Sequence, residues 1–346
     1  MVSQPLSFAD RLDRRGITRR DFLRFCGLMA GTLALPGNGI GRIAKALAAT
    51  SRPPVVWLEF QDCTGDTESF LRTAQPSIDE FLLDRISLDY HETLMAPAGQ
   101  DTELSLDSVL RTYPGEYIAI IEGSIPTAAG GIYCTVRGRT ALNIAREVAG
   151  SARYVIAAGS CAYDGGLAAA EPNPTGATGV RGAVPGLENL INLPGCPINE
   201  VNLSAVLVHI LTYGTLPSLD GELRPGFAYS REIHDHCERR VFEEQDLYVR
   251  AWGDEGHRKG WCLKQMGCKG EETHHNCYDV KWNDGTSWPI GAGHGCIGCA
   301  TPHFWDRMTP FYRGEDEDDD HDRSARLLST RLVGPIPLET RRPRRA

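Results

Sequence analysis

Cys63-Thr64-Gly65-Asp66, His234-Asp235-His236-Cys237 and Cys296-Ile297-Gly298-Cys299 each place two metal-ligating side chains three residues apart. That spacing lets both donors of one turn reach the same metal centre, with the remaining ligands supplied by other loops. Cys161, in Gly159-Ser160-Cys161, and Cys196, in Pro194-Gly195-Cys196-Pro197, form a first group with Cys63 and Asp66. His234 and Cys237 form a second with Cys262 and Cys268, and one imidazole with three thiolates suits zinc as well as a four-iron cluster. Cys277, Cys296 and Cys299 form a third group of three thiolates only, because Gly295 offers no ligand where a fourth donor would stand. Cys134, in Gly131-Ile132-Tyr133-Cys134, reads as a buried, inert thiol outside these groups.

Disulfide pairing is the competing chemistry for so many cysteines in an exported chain. The chelate spacings argue against it, and so does the N-terminus. Arg19-Arg20 precede Phe22-Leu23 and an apolar run from Phe25 to Leu35, a pattern that resembles a twin-arginine export signal. The run is shorter than the roughly 20 residues needed to cross a bilayer. Ala46-Leu47-Ala48 fits a peptidase site with cleavage after Ala48. An N-terminal helix with a chance arginine pair is the alternative. A route that carries folded proteins lets metal centres be built in the reducing cytoplasm, so free thiolates committed to metal are expected in the compartment beyond.

The elements that must position these loops follow from the apolar pattern. Residues 49–215 alternate short apolar runs with helical periods, which predicts an open α/β sheet. Strands are expected at Val55–Phe60, Ser87–Tyr90, Tyr117–Glu122, Tyr154–Ala158 and Leu190–Leu193, and helices at Glu68–Asp84 with a break near Pro76, Arg139–Gly150 and Asn199–Tyr213. Three of the strands then deliver Cys63, Cys161 and Cys196 at their carboxyl ends, where open α/β sheets place ligands. In residues 216–313 the alternation fades and Gly, Pro, Trp, His and Cys dominate, as expected of a small, mostly irregular domain held by metal more than by an apolar core. Residues 314–346 pass from the acidic block Glu315–Asp322 to Arg341–Arg345 and read as a charged, disordered tail. The formal net charge of -9 lacks the basic surface that nucleic acid requires.

Taken in order, Cys63-Thr64-Gly65, Glu122-Gly123-Ser124-Ile125-Pro126, Gly159-Ser160-Cys161-Ala162, Pro172-Asn173-Pro174-Thr175, Leu193-Pro194-Gly195-Cys196-Pro197, His234-x-x-Cys237, Cys262-Leu263-x-x-x-Gly267-Cys268-Lys269-Gly270 and Gly293-His294-Gly295-Cys296-Ile297-Gly298-Cys299 make the chain resemble the small subunit of uptake nickel-iron hydrogenases over nearly its whole length. The resemblance implies a flavodoxin-like N-terminal domain with a proximal cluster on Cys63, Cys161, Cys196 and the position of Asp66. It implies a distal [4Fe-4S] cluster on His234, Cys237, Cys262 and Cys268, and a medial [3Fe-4S] cluster on Cys277, Cys296 and Cys299. It further implies a hydrogen-splitting large subunit as partner, so that this chain relays electrons, to an acceptor such as a cytochrome, from the periplasm. Attachment to a membrane through a partner and a soluble enzyme both stay open. A stand-alone iron-sulfur carrier or redox sensor is the alternative function.

The chain departs from that family's pattern in two places. The usual fourth proximal cysteine is Asp66, which either supplies a carboxylate oxygen to the cluster or leaves a three-iron centre there, the plain alternative being a helix cap before Glu68. The extra proximal cysteines of oxygen-tolerant members are replaced by Gly65 and Gly166. Replacing Arg19 and Arg20 together by Lys is expected to strand the chain in the cytoplasm; fractionation that finds it undiminished beyond the inner membrane removes the export reading.

Overall fold

The computed structural model describes Phe8, Leu12 and residues 18–48, 52–73 and 85–314. Its centre is a five-stranded sheet of β1 (Pro54–Glu59), β2 (Ser87–His91), β3 (Ile118–Glu122), β4 (Tyr154–Ala158) and β5 (Leu190–Leu193). The strands lie in the order β2-β1-β3-β4-β5 and every neighbouring pair is parallel, the flavodoxin-like order. The near-continuous apolar runs of β1, β3 and β4 are what a parallel sheet covered on both faces requires. Alternate residues divide accordingly. Val55, Trp57, Ile118, Ile120 and Ile156 enter one apolar layer, and Val56, Leu58, Ala119, Ile121 and Val155 enter the other.

Helices α1 (Arg19–Thr32), α2 (Gly39–Leu47), α3 (Gly65–Leu71), α4 (Gln100–Thr112), α5 (Ala141–Ser151), α6 (Gly159–Asp164) and α7 (Glu200–Tyr213) complete this half. Thr140 caps α5 by accepting the Asn143 N–H, and Asn199 caps α7 by accepting from Val201 and Asn202. All five expected strands are present, and the helices expected at 139–150 and 199–213 begin one or two residues later. The helix expected from Glu68 starts instead at Gly65 and ends at Leu71; residues 74–84 lie outside the described ones. Helix α4, whose apolar stripe is only Leu106 and Val109 deep, was not foreseen.

Residues 19–47, the expected leader, fold onto this domain as α1 and α2. Phe25, Cys26 and Met29 of α1 and Ile43 and Leu47 of α2 are buried in the layer formed by α7 and the sheet, while Arg19 and Arg20 remain exposed. Helix α7 is apolar on nearly every side, and the two leader helices cover what the sheet does not. Ala48 is the C-cap of α2, and the residues just past the expected cleavage point lie outside the described ones, as does the tail from 315. Among the described residues no helix is long and apolar enough to cross a membrane.

Beyond α7 the chain runs through short helical turns around a small core of Ile233, Val249, Leu263, Met266, Trp288 and Ile290, into which Cys277 and Cys296 are packed. Buried polar contacts tie this half to the sheet. The side-chain amides of Asn202 and Asn276 bond each other reciprocally at 2.9 and 3.0 Å, and Ser160 Oγ donates to the Cys299 carbonyl at 2.6 Å. Asn202→Ala leaves the Asn276 amide buried without its partner and is expected to cost about 1–3 kcal/mol. A double-mutant cycle with Asn276→Ala checks it through thermal unfolding, and additive losses would show that the amides do not act as a pair.

Candidate metal centres

The carboxyl ends of β1, β3, β4 and β5 converge. Past β1, the Asp62 carboxylate accepts the Thr64 N–H at 2.8 Å and Thr64 adopts φ +59, a tight reversal that starts α3 directly after Cys63. Glu122, at the end of β3 and wholly buried, holds that reversal. It accepts from Asp66 N at 2.9 Å, Thr67 N at 3.1 Å, Thr67 Oγ1 at 2.5 Å and Trp57 Nε1 at 3.1 Å. Ser160, after β4, accepts from Gly195 N at 3.0 Å and donates its own N–H to the Gly195 carbonyl at 2.9 Å, so the loops carrying Cys161 and Cys196 are locked together.

Asp66 is buried inside the first turn of α3 and does not cap it; the N-cap is Thr64, with no side-chain cap bond. Its Oδ1 instead accepts the Ile198 N–H at 2.6 Å, across from Cys63. A β-carbon at Gly159 would fall 2.1 Å from Asp66 Oδ2, so the carboxylate reaches the Cys161 loop as well. Burial, then the neighbouring Glu122, push the Asp66 carboxyl up to about 8. Burial pushes the Cys161 and Cys196 thiols up to about 12, and Cys63, Cys161, Cys196 and Asp66 lie close enough for their charges to interact. Burial disfavours the charged forms of Asp66, Cys161 and Cys196, and a cation they share offsets that.

The second group lines one cavity of about 370 Å³, with His234, Cys237, Cys262 and Cys268 all on its wall. Backbone N–H groups already point at its sulfurs, Arg239 N to Cys237 Sγ at 3.4 Å and Cys296 N to Cys268 Sγ at 3.2 Å. Burial raises the thiols of Cys237 and Cys268 and takes Cys262 to about 11. The third group lines a separate cavity of about 350 Å³, walled by Cys277, Cys296 and Cys299 with Trp282, Trp288 and Ile290. Gly298 N donates to Cys296 Sγ at 3.3 Å, and the buried His275 places Nδ1 2.9 Å from Cys277 Sγ. Burial holds His275 at about 3, so the ring is neutral. A β-carbon at Gly295 would lie 3.0 Å from Cys268 Cα, so this position faces the second group's loop and not the third cavity.

The three sites are contiguous. Cys196 and Cys299 border one groove and Ser160 bonds the Cys299 carbonyl, which joins the first to the third. The Cys296 N–H on Cys268 Sγ, with Lys269 N on the Cys296 carbonyl at 2.8 Å, joins the third to the second. Cys63 and Cys196 are exposed at the edge of the first site, whereas the thiols of the second and third groups are buried or part-buried with backbone N–H groups aimed at sulfur; thiols so grouped are the donor set of iron-sulfur clusters.

The comparisons with known proteins decide the family. Residues 229–312 match the model for the C-terminal region of NiFe/NiFeSe hydrogenase small subunits, and residues 63–210 match that for the 20 kDa subunit of NADH ubiquinone oxidoreductase. The chain is 46% identical over 304 residues to the periplasmic [NiFe] hydrogenase small subunit 1 of Nitratidesulfovibrio vulgaris, covering 88% of this chain and 95% of that one. It is 45% identical over 302 residues to the quinone-reactive Ni/Fe-hydrogenase small chain of Wolinella succinogenes, covering 87% and 85%. The chain belongs to the nickel-iron hydrogenase small-subunit family. Among solved structures, the Ni-Fe-Se hydrogenase of Desulfomicrobium baculatum superposes with a TM-score of 0.71 at 32% identity over 77% of this chain and all of that one. The actinobacterial-type NiFe-hydrogenase of Ralstonia eutropha H16 gives 0.69 at 25% identity, over 83% and 95%. The protein is thus the electron-transfer subunit of a hydrogenase, an iron-sulfur oxidoreductase component.

Within this small subunit the structure revises one reading and adds one residue. Cys134 is half-buried beside a short hairpin, not buried, and burial with the nearby Asp62 and Glu92 carboxylates raises its thiol. Glu122 was noticed only as part of a motif, although an acid closing the apolar run Ile118–Glu122 was the available signal. At Gly65 and Gly166 an added β-carbon would lie 3.0 Å from Cys63 Sγ and 2.7 Å from Cys161 Sγ, so the backbone presses directly on these two thiols. Glu122→Gln turns an amide N–H₂ toward donors that need an acceptor and is expected to cost about 1.5–3 kcal/mol. Low-temperature EPR of the purified enzyme should then show the proximal signal lost ahead of the other two; equal retention of all three would show that Glu122 does not brace that loop.

Proposed function

We propose that this small subunit carries electrons from hydrogen oxidation in a nickel-iron large subunit along three clusters in the order proximal, medial, distal. In this reading Cys63, Asp66, Cys161 and Cys196 hold the proximal cluster, Cys277, Cys296 and Cys299 a medial [3Fe-4S] cluster, and His234, Cys237, Cys262 and Cys268 a distal [4Fe-4S] cluster. The observation that carries it is the contiguity of the three cysteine sites, each bonded through a loop or a backbone N–H to the next. The clusters supply one-electron storage at potentials tuned by hydrogen bonds and exposure.

The chain's own residues do the rest. Glu122 and Ser160 hold the proximal loops in register, and the apolar wall of Trp282, Trp288 and Ile290 keeps water from the medial thiolates. His234, on the outer turn, is part-exposed and marks the exit toward an acceptor such as a cytochrome. The exposure of Arg19 and Arg20 on a leader whose apolar side is folded away supports export of the finished fold by the twin-arginine machinery to the periplasm. Cleavage after Ala48 would remove α1 and α2 and uncover α7. Purification through a tag on this chain should bring down a nickel-containing large subunit; a chain that carries its clusters alone and never binds that partner would instead be the stand-alone carrier.

The proximal carboxylate gives the second test. Oxygen is a harder donor than thiolate, so Asp66 should hold its iron more loosely than the three cysteines hold theirs. Asp66→Cys is expected to change the proximal spectrum and potential while keeping four irons. Asp66→Ala is expected to leave a three-iron or damaged centre and to cut hydrogen oxidation roughly tenfold or more. An unaltered four-iron signal in Asp66→Ala, read by Mössbauer spectroscopy, would take Asp66 out of the ligand set.

A further inference from the structure

His234 does not face solvent freely. The loop between Cys237 and Cys262 forms a short helical turn, Arg240–Glu243, whose last residue reaches back over the histidine. Glu243 Oε2 lies 2.7 Å from His234 Nε2, with the two side chains only 17% and 21% exposed. The other oxygen, Oε1, accepts from Lys264 Nζ at 3.2 Å, and the same ammonium donates to Glu271 Oε1 at 2.9 Å. Glu271 stands 3.8 Å from His234 Nε2, beyond hydrogen-bond reach. Donor atoms of His234, Glu243 and Glu271 come within 4.8 Å of one another. A separate metal ion is not needed to balance them, because Lys264 already bonds both carboxylates.

We infer that Glu243 is a positioning residue for the distal ligand: its carboxylate holds the proton of His234 on Nε2, leaving Nδ1 as the nitrogen free to ligate beside Cys237, Cys262 and Cys268, which line the same cavity. The inference rests on the reading of His234 as a distal ligand. A carboxylate oxygen bonded to Lys264 on one side accepts on the other, so the imidazole is the donor at Nε2. A neutral ring has one N–H, and the remaining nitrogen is then the ligating one. A carboxylate behind a metal-bound histidine fixes the ring's orientation and makes it a stronger donor. Lys264 opposes that push from the far side of the same carboxylate while also bonding Glu271, so the Glu243 and Lys264 charges move the electron affinity of the exit site in opposite directions.

The test uses the assembled, cluster-loaded heterodimer labelled with ¹⁵N-histidine, with pulsed EPR of the reduced distal signal and a redox titration. Wild type should show a histidine nitrogen coupling. Glu243→Gln keeps an acceptor but removes the charge, and should shift the distal reduction equilibrium about tenfold toward the reduced form, a rise of about 59 mV for one electron. Lys264→Met should move it the opposite way, a contrast that general damage to the loop would not produce. Glu243→Ala should weaken or scatter the nitrogen coupling and lower distal-cluster retention about tenfold. Potentials and coupling unchanged in both Glu243 variants, or shifted in the same direction by Glu243→Gln and Lys264→Met, overturn the inference and leave His234 as a ligand. If Glu243→Ala fails to assemble, Glu243→Gln still decides. A distal signal without nitrogen coupling in wild type overturns the inference and the ligand assignment together.

Discussion

Burial disfavours the charged form of the thiols in the C-terminal half, and most of that half's architecture bears on this constraint. Burial drives Cys277 well above its ordinary range and raises Cys299, Cys268 and Cys237 as well. Charge there is favourable only when it is shared with iron. The surrounding core is small, and two of its buried members are Cys277 and Cys296 themselves. Removing the metal therefore removes part of what the apolar residues pack around.

The same constraint explains why the sites are knitted through backbone and not through long side chains. Ser160 links the Cys161 and Cys196 loops and then reaches the Cys299 carbonyl, while the Cys296 N–H bonds Cys268 Sγ. The links are short and buried or part-buried, so a shift at one site is felt at its neighbour. For an electron relay, in which transfer depends on separation, that rigidity matters more than the identity of any one bond.

Carboxylates do two different tasks around the ends of this relay. At the inner end, Glu122 organises the Cys63 turn through four hydrogen bonds and stands beside Asp66, so two acids are buried where the family pattern has one acid and a thiol. At the outer end, Glu243 sits behind His234 with Lys264 as its counter-charge. The inner pair is buried, with the Glu122 carboxylate met by four hydrogen bonds. The outer group is partly exposed, and there Lys264 bonds both Glu243 and Glu271.

The amino-acid sequence by itself determined the open α/β sheet, because runs such as Val55–Leu58 and Ile118–Ile121 are apolar on both faces, and it marked candidate donors, because three-residue chelate spacing is local chemistry. It also marked the leader by its arginine pair. It did not reveal helix α4, whose buried stripe is two residues, nor that the leader's apolar side would close over α7. Only the tertiary structure decided that Asp66 turns away from capping toward Ile198, that Gly295 faces Cys268, and that Glu243 lies on His234. Those outcomes depend on which distant loops meet, and a carboxylate six residues past Cys237 has no local signature that separates a ligand's brace from a solvated acid.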